Sequence, residues 1–273
     1  VVLDYLFIGT CNLGPIGAAL GTTLSQTLSV VIALLAIRKK KTGITLTRSN
    51  FRPQWAVMKQ ILKIGIPVAL QDGFIQVAFI IITVIANRRG IDDAAAVGIV
   101  EKIISALFIV PSSMLATVSA LSAQNIGAGK LKRAEKTLWY AACITTGYGV
   151  GVAIVIQFVA EFVVGVFTQD AAVILLGSEY IRAYIWDCIL AGIHFCFSGY
   201  FRAYGKSYIG FLHNMIAILL VRISGSYLAS KCFSDTLFPM GLAAPGGSLL
   251  SVIICLIAFA LLKHKEKLSL QYR

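Results

Sequence analysis

The sequence predicts an all-α, polytopic membrane helical bundle, and three observations carry that reading. Hydrophobic residues make up 58% of the 273 residues and charged residues only 13%, against roughly 25% charged in ordinary soluble domains. The mean hydropathy is +0.84. Windows of about 20 mostly apolar residues, the length that crosses a bilayer as a helix, follow one another along the chain. Together these exclude a soluble globular class.

The elements follow in order. Residues 1–9 read as the second half of a hydrophobic helix carrying Asp4, and since Val1 is no initiator the chain is expected to be part of a longer one. Seven full windows come next: Pro15–Ile37, Ile64–Ala86, Ala94–Ser122, Leu138–Val159, Ile181–Tyr204, Tyr208–Ser230 and Leu242–Leu262. The run Arg38-Lys39-Lys40-Lys41 stops the first of them and starts a polar loop that reaches Pro53 and Trp55, where a short interfacial helix is expected. Arg202-Ala203-Tyr204-Gly205-Lys206 reads as a tight turn, and residues 263–273 as a basic tail.

The formal net charge of +12 takes its meaning from its placement. Arg88, Arg89, Arg182 and Lys231 fall on one side of the predicted spans, Lys102 and Arg222 fall inside them, and the rest of the 24 Lys+Arg lie on the other side. The positive-inside rule puts the crowded side, with the C-terminus, in the cytoplasm. The excess charge is then a matter of orientation and of contact with the lipid bilayer, and nucleic acid is not an expected partner, because a basic face with stacking aromatics is missing. Six scattered cysteines form no Cys-x-x-Cys pair and read as small apolar residues, so no metal site is expected. Gly127-Ala128-Gly129-Lys130 fails the spacing of a phosphate loop and reads as a helix end, so no nucleotide is expected either.

The two ends of the chain share an order of residues. Asp4-Tyr5-Leu6-Phe7, Gly17-Ala18-Ala19 and Ser29-Val30-Val31-Ile32 are matched by Asp235-Thr236-Leu237-Phe238, Leu242-Ala243-Ala244 and Ser251-Val252-Ile253-Ile254. A duplication of this kind predicts two six-helix units, of which the chain holds the end of one and all of the next.

Gly65-Ile66-Pro67 opening one span, Pro111 in the next, and Ser122-Ala123-Gln124-Asn125-Ile126-Gly127-Ala128-Gly129-Lys130 followed by Arg133-Ala134 resemble the multidrug and toxic compound extrusion (MATE) transporters. The resemblance implies a two-lobe protein of twelve helices. Residues 1–37 would be the end of the N-lobe, 38–63 the inter-lobe loop with its interfacial helix, 64–262 the C-lobe of six helices and 263–273 a cytoplasmic tail. It further implies a secondary antiporter of the plasma membrane, expected to act as a monomer and not as an enzyme. Such a protein exports small, mostly cationic organic compounds in exchange for protons or sodium and needs no other cofactor.

Ionisable residues inside predicted spans are costly, at about 3 kcal/mol or more at the bilayer centre, and so are candidates for function. Asp4, with Thr22, matches an Asp and a Thr that form part of a cation site in the resembled family, which makes this pair the cation-coupling candidate. A desolvated carboxylate holds a proton more readily, and the same oxygens suit sodium. Gln71, Asp72 and Gln76 form a polar patch beyond Pro67, and Tyr184, Asp187 and His194 combine aromatic and charged contacts; these are the substrate-cavity candidates. Glu101, Lys102 and Arg222 are expected to serve a structural ion pair, with Glu101 or Asp187 as the acid facing Arg222.

Two other readings stand beside this one. A lipid or lipid-linked oligosaccharide flippase of similar architecture would favour a strongly cationic cavity, whereas the spans hold four acids, Asp4, Asp72, Glu101 and Asp187, against Lys102 and Arg222. A heptahelical receptor shares the topology of seven spans, but the last span carries no lysine for a retinal Schiff base.

Overall fold

The computed structural model describes residues 2–10, 13–39 and 53–271, and these are helical with short connections and no strand among them. The chain divides into two compact units, residues 1–55 and 56–273. Cys11 and residues 40–52 of the expected inter-lobe loop lie outside the described residues.

In the first unit, α1 (Val2–Asp4) continues as a π-helical turn, Tyr5–Thr10, and is followed by α2 (Gly14–Lys39). Gly17 packs directly on the Phe7 backbone, where a Cβ would meet the Phe7 carbonyl at 3.0 Å. Along α2 the hydroxyls of Thr22, Thr23, Ser25, Thr27 and Ser29 each donate to the carbonyl four residues earlier, so these polar side chains carry no unmet donor on an apolar helix.

The second unit opens with α3 (Trp55–Asn87), which runs unbroken through Pro67. The short interfacial helix and the span expected after it are therefore one element. The window Ala94–Ser122 is two helices, α4 (Ile91–Leu107) and α5 (Ile109–Gly127), joined at Phe108. Pro111 explains the break, because it has no N–H for the Leu107 carbonyl and its ring crowds that carbonyl. The Tyr148 hydroxyl donates to the freed Leu107 oxygen at 3.0 Å. Tyr148 belongs to α6 (Leu131–Gly165), which shows Phe158 and Phe162 on its outer face, 83% and 76% exposed.

The window Ile181–Tyr204 is also divided. α7 (Ala171–Tyr184), capped by Asp170 through the Ala172 and Val173 amides, ends at Ile185-Trp186, and α8 (Asp187–Ala203) begins at once. Across the joint the bonds tighten to three-residue spacing, Cys188 N–H to Ile185 O at 2.9 Å and Ile189 N–H to Trp186 O at 3.3 Å. The other predicted windows lie in helices long and apolar enough to span a membrane, and the stretch Ser207–Cys232 is one of these. It comprises α9 (Ser207–Ala217), a π-helical segment Ile218–Ile223, and α10 (Ser224–Cys232). After α11 (Phe238–Gly241), α12 (Ala243–Gln271) closes the unit.

Helix α8 is the buried centre of the bundle, and small residues let its neighbours reach it. A Cβ at Gly199 would lie 2.5 Å from the Leu115 carbonyl oxygen of α5, one at Gly192 would lie 2.8 Å from Thr145 Cβ of α6, and one at Gly149 would lie 2.8 Å from Ile189 Cα. This is the close backbone approach that small residues permit between membrane helices. At one end Arg89 bridges Asp93 and the carbonyls of Phe233, Ser234 and Thr236, tying the α3–α4 turn to the loop before α11.

That loop corrects one part of the internal match. Asp235 sits in the connection before α11, whereas Asp4 sits on a helical turn, so these two residues do not occupy equivalent places. The starts of α2 and of α11 keep the repeat spacing, and the Asp motif does not.

Gly199→Ala is expected to lower stability by about 1–3 kcal/mol, since the added methyl meets a backbone oxygen that cannot yield. Gly151→Ala, with open space around it, should melt like wild type in a thermal-shift comparison in detergent.

Candidate functional site

The second unit holds a partly open cavity of about 430 Å³ between α3, the α4–α5 joint, α8, the α9–π segment and α12. Each irregularity of the helices falls on its wall. The Pro111 break exposes Ser105, Phe108 and Ser112, the α7–α8 joint sets Tyr184 and Asp187 at the wall, and the π-helical turn carries Arg222. Irregular backbone at membrane depth is tolerated where it lines a cavity in this way. Gly247 on α12 packs beside Arg222, its Cβ position lying 3.5 Å from Arg222 Cβ, an ordinary van der Waals contact.

From α3 the cavity receives Gln71, Asp72, Gln76 and Phe79. Gln71 is buried, and its Oε1 accepts from Arg202 Nη2 at 3.2 Å. Asp72 and Gln76 are exposed on the open side. From α8 come Asp187 and His194, both buried. Asp187 is 1% exposed and neither carboxylate oxygen has a hydrogen-bond partner, with the Ser248 hydroxyl its polar neighbour. His194 Nε2 lies 3.4 Å from Ser248 Oγ, and its ring centroid is 5.5 Å from that of His213, which meets Ser198 Oγ at 2.9 Å. All six sequence-derived cavity candidates, Gln71, Asp72, Gln76, Tyr184, Asp187 and His194, thus line one cavity.

The expected ion pair among Glu101, Lys102 and Arg222 is not formed. Among the described residues no acid lies within 4.0 Å of Arg222; its guanidinium instead lies over the rings of Phe79, at 5.1 Å, and Tyr184, at 5.3 Å. Glu101 accepts from the Thr83 hydroxyl at 3.4 Å, and Lys102 is exposed. Aromatic rings therefore take the place the sequence assigned to a carboxylate. In the first unit, Thr22 is exposed and donates to Ala18 O at 3.0 Å, while the Asp4 side chain lies outside the described residues.

Several wall residues escaped the sequence reading. Arg202 was assigned to a cytoplasmic turn, yet it belongs to the last turn of α8 and reaches back to Gln71. Asn214 is buried on α9, and Ser248 and Ser251 are buried on α12. Serine and asparagine inside an apolar window carry little signal, since a backbone bond satisfies them equally well. Among the described residues no group of His, Cys, Asp and Glu is gathered as a metal site would be.

A bundle of membrane-length helices around a cavity with aromatic and ionisable walls defines a polytopic membrane protein. The chain belongs to the MatE family, whose sequence profile matches residues 67–228. The probable multidrug resistance protein YpnP of Bacillus subtilis (strain 168) is 25% identical over 222 residues, covering 81% of this chain and 49% of that protein. The multidrug export protein MepA of Staphylococcus saprophyticus is 25% identical over 207 residues, covering 76% and 46%. A crystal structure of MATE in the straight conformation shares the fold with a TM-score of 0.88 at 21% identity, covering 97% of this chain and 60% of that one. The chain spans about half the length of the curated relatives it matches.

Cysteines placed at Gln76 and Ser112, in a background freed of native cysteines, are expected to react with a small, charged methanethiosulfonate. One placed at Ser198, 0% exposed, should stay unlabelled. Equal labelling of all three by mass spectrometry would contradict the cavity geometry.

Proposed function

We propose that this chain is the C-terminal part of a secondary active antiporter that exports drug-like, mostly cationic organic compounds in exchange for protons or sodium. The observation that carries the reading is Asp187, a carboxylate without a hydrogen-bond partner on the wall of a cavity shared with Phe79, Phe108 and Tyr184. An isolated buried acid is expensive, and a cationic solute with an apolar body offsets that cost while it stacks on the rings. The relatives, a probable multidrug resistance protein and a multidrug export protein, support it.

In this proposal residues 1–37 close the N-lobe, 64–262 form the C-lobe, and Asp4 with Thr22 supplies the coupling site. The protein would reside in the plasma membrane as a monomer with its C-terminus in the cytoplasm, the side on which the basic residues cluster. The coupling ion is the sole cofactor, and no catalysis is involved. A lipid or lipid-linked oligosaccharide flippase is the second reading, favoured by Arg202 and Arg222 in the same wall. With both arginines counted, the cavity is less acidic than the span residues alone suggest.

The test uses everted membrane vesicles containing the protein together with whatever sequence precedes Val1. An imposed proton or sodium gradient should drive ethidium uptake, and Asp187→Asn should reduce the initial rate about tenfold or more, with Asp4→Asn abolishing the dependence on the gradient. Gradient-independent traces across a panel of cations, with scrambling of a labelled lipid, would replace export by flipping.

A further inference from the structure

Helix α6 has two unlike sides. Ala134, Leu138, Ala141, Ala142, Thr145 and Gly149 are buried against the bundle. At 3.6 residues per turn Arg133, Lys136, Tyr140, Gly147, Gly151 and Phe158 share the opposite face, and all six are exposed. The first turns of that face carry an open groove lined by Lys132, Arg133, Lys136, Thr137 and Tyr140, with no acid in its wall. Among the described residues none of the three cations has a carboxylate within 4.0 Å. Glu135, the acid between them in sequence, is engaged by Lys263 Nζ of α12 at 2.8 Å.

Cations in the first turns of a helix oppose its dipole, and three of them side by side repel one another. An anion from outside the chain relieves both. Further along the same face, Gly147 and Gly151 have open space where a side chain would stand. They lie between Tyr140 and Phe158, which are 66% and 83% exposed, so the face carries a slot floored by glycine. From Tyr140 to Gly151 is about 16 Å along the helix axis, close to the roughly 15 Å of hydrocarbon in one leaflet. A headgroup held at the cations therefore brings its acyl chain to the slot. A second copy of the chain fits this face poorly, because two-fold pairing in one membrane would set the two basic grooves against each other.

We propose that the outer face of α6 holds one anionic glycerophospholipid, its phosphate between Arg133 and Lys136 with Lys132 beside them, and one acyl chain along Gly147 and Gly151. The guanidinium of Arg133 offers paired donors to phosphate oxygens and the lysines add point charges. Tyr140 marks the border between headgroup and chain, where amphipathic rings settle. This lipid is a resident of the protein surface and not cargo of the cavity, so the inference holds whatever the cavity carries.

Native mass spectrometry tests this on the delipidated protein, with whatever sequence precedes Val1, in an equal mixture of dioleoyl phosphatidylglycerol and dioleoyl phosphatidylcholine. The first lipid bound should be phosphatidylglycerol over phosphatidylcholine by about fivefold or more. Arg133→Gln with Lys136→Gln should bring that ratio to about one, whereas Lys59→Gln with Lys63→Gln, which removes the same charge from α3, should leave it within about twofold of wild type. Arg133→Lys with Lys136→Arg keeps the charge and should keep the ratio, which separates lost binding from lost folding. Gly147→Leu with Gly151→Leu fills the slot and should weaken phosphatidylglycerol about threefold or more. A wild-type ratio near one, an equal fall in the two glutamine pairs, or unchanged affinity with the slot filled overturns the inference. Displacement of the lipid by an equal concentration of inorganic phosphate, or a dimer that the leucine pair abolishes, overturns it as well, the first in favour of the free ion and the second in favour of a second copy.

Discussion

Backbone polar groups inside an apolar medium must find partners within the protein, and the rest of this structure depends on how that demand is met where the helices break. Each break has a local repair. Tyr148 supplies the donor that Pro111 withholds from Leu107. Three-residue bonds carry the chain from α7 into α8. The Ser224 hydroxyl donates to the Leu219 carbonyl at 2.8 Å across the π-helical segment. The breaks are placed where side chains of the cavity are needed, while α6 and α12 run unbroken.

Packing follows from the same arrangement. With α8 in the centre, every neighbour must approach a helix whose first residue is a buried carboxylate. Glycines 149, 192 and 199 bring backbones close enough that dispersion contacts replace the hydrophobic force that lipid cannot supply between helices. A polar side chain stands in this seam as well, Thr145 against Gly192. Beyond it, Phe197, Trp139 and Phe259 meet edge to face and form an apolar end of the bundle.

Much of this was legible in the sequence. Apolar windows revealed the helices because a span leaves a signal about 20 residues long, and ionisable residues within windows marked the cavity because few other reasons retain them there. The α7–α8 joint was not legible, since no proline or glycine stands at Ile185 and Trp186. Arg222 was recognised as costly but given a carboxylate partner, because cation–π contacts leave no spacing rule in a sequence. Arg202 was missed for a related reason, since a basic residue at a helix end reads as a topology signal even when its side chain turns back inward. The Asp235 match failed because short, largely apolar strings recur by chance.

The central claim is that Asp187 is kept for a ligand and not for the fold. Thermal unfolding of Asp187→Asn in detergent tests it most directly, since removing an unpartnered buried charge relieves a desolvation cost. The account predicts a melting temperature equal to or above that of wild type, together with weakened binding of a cationic dye. A variant that melts several degrees lower and still binds the dye as wild type does would contradict it.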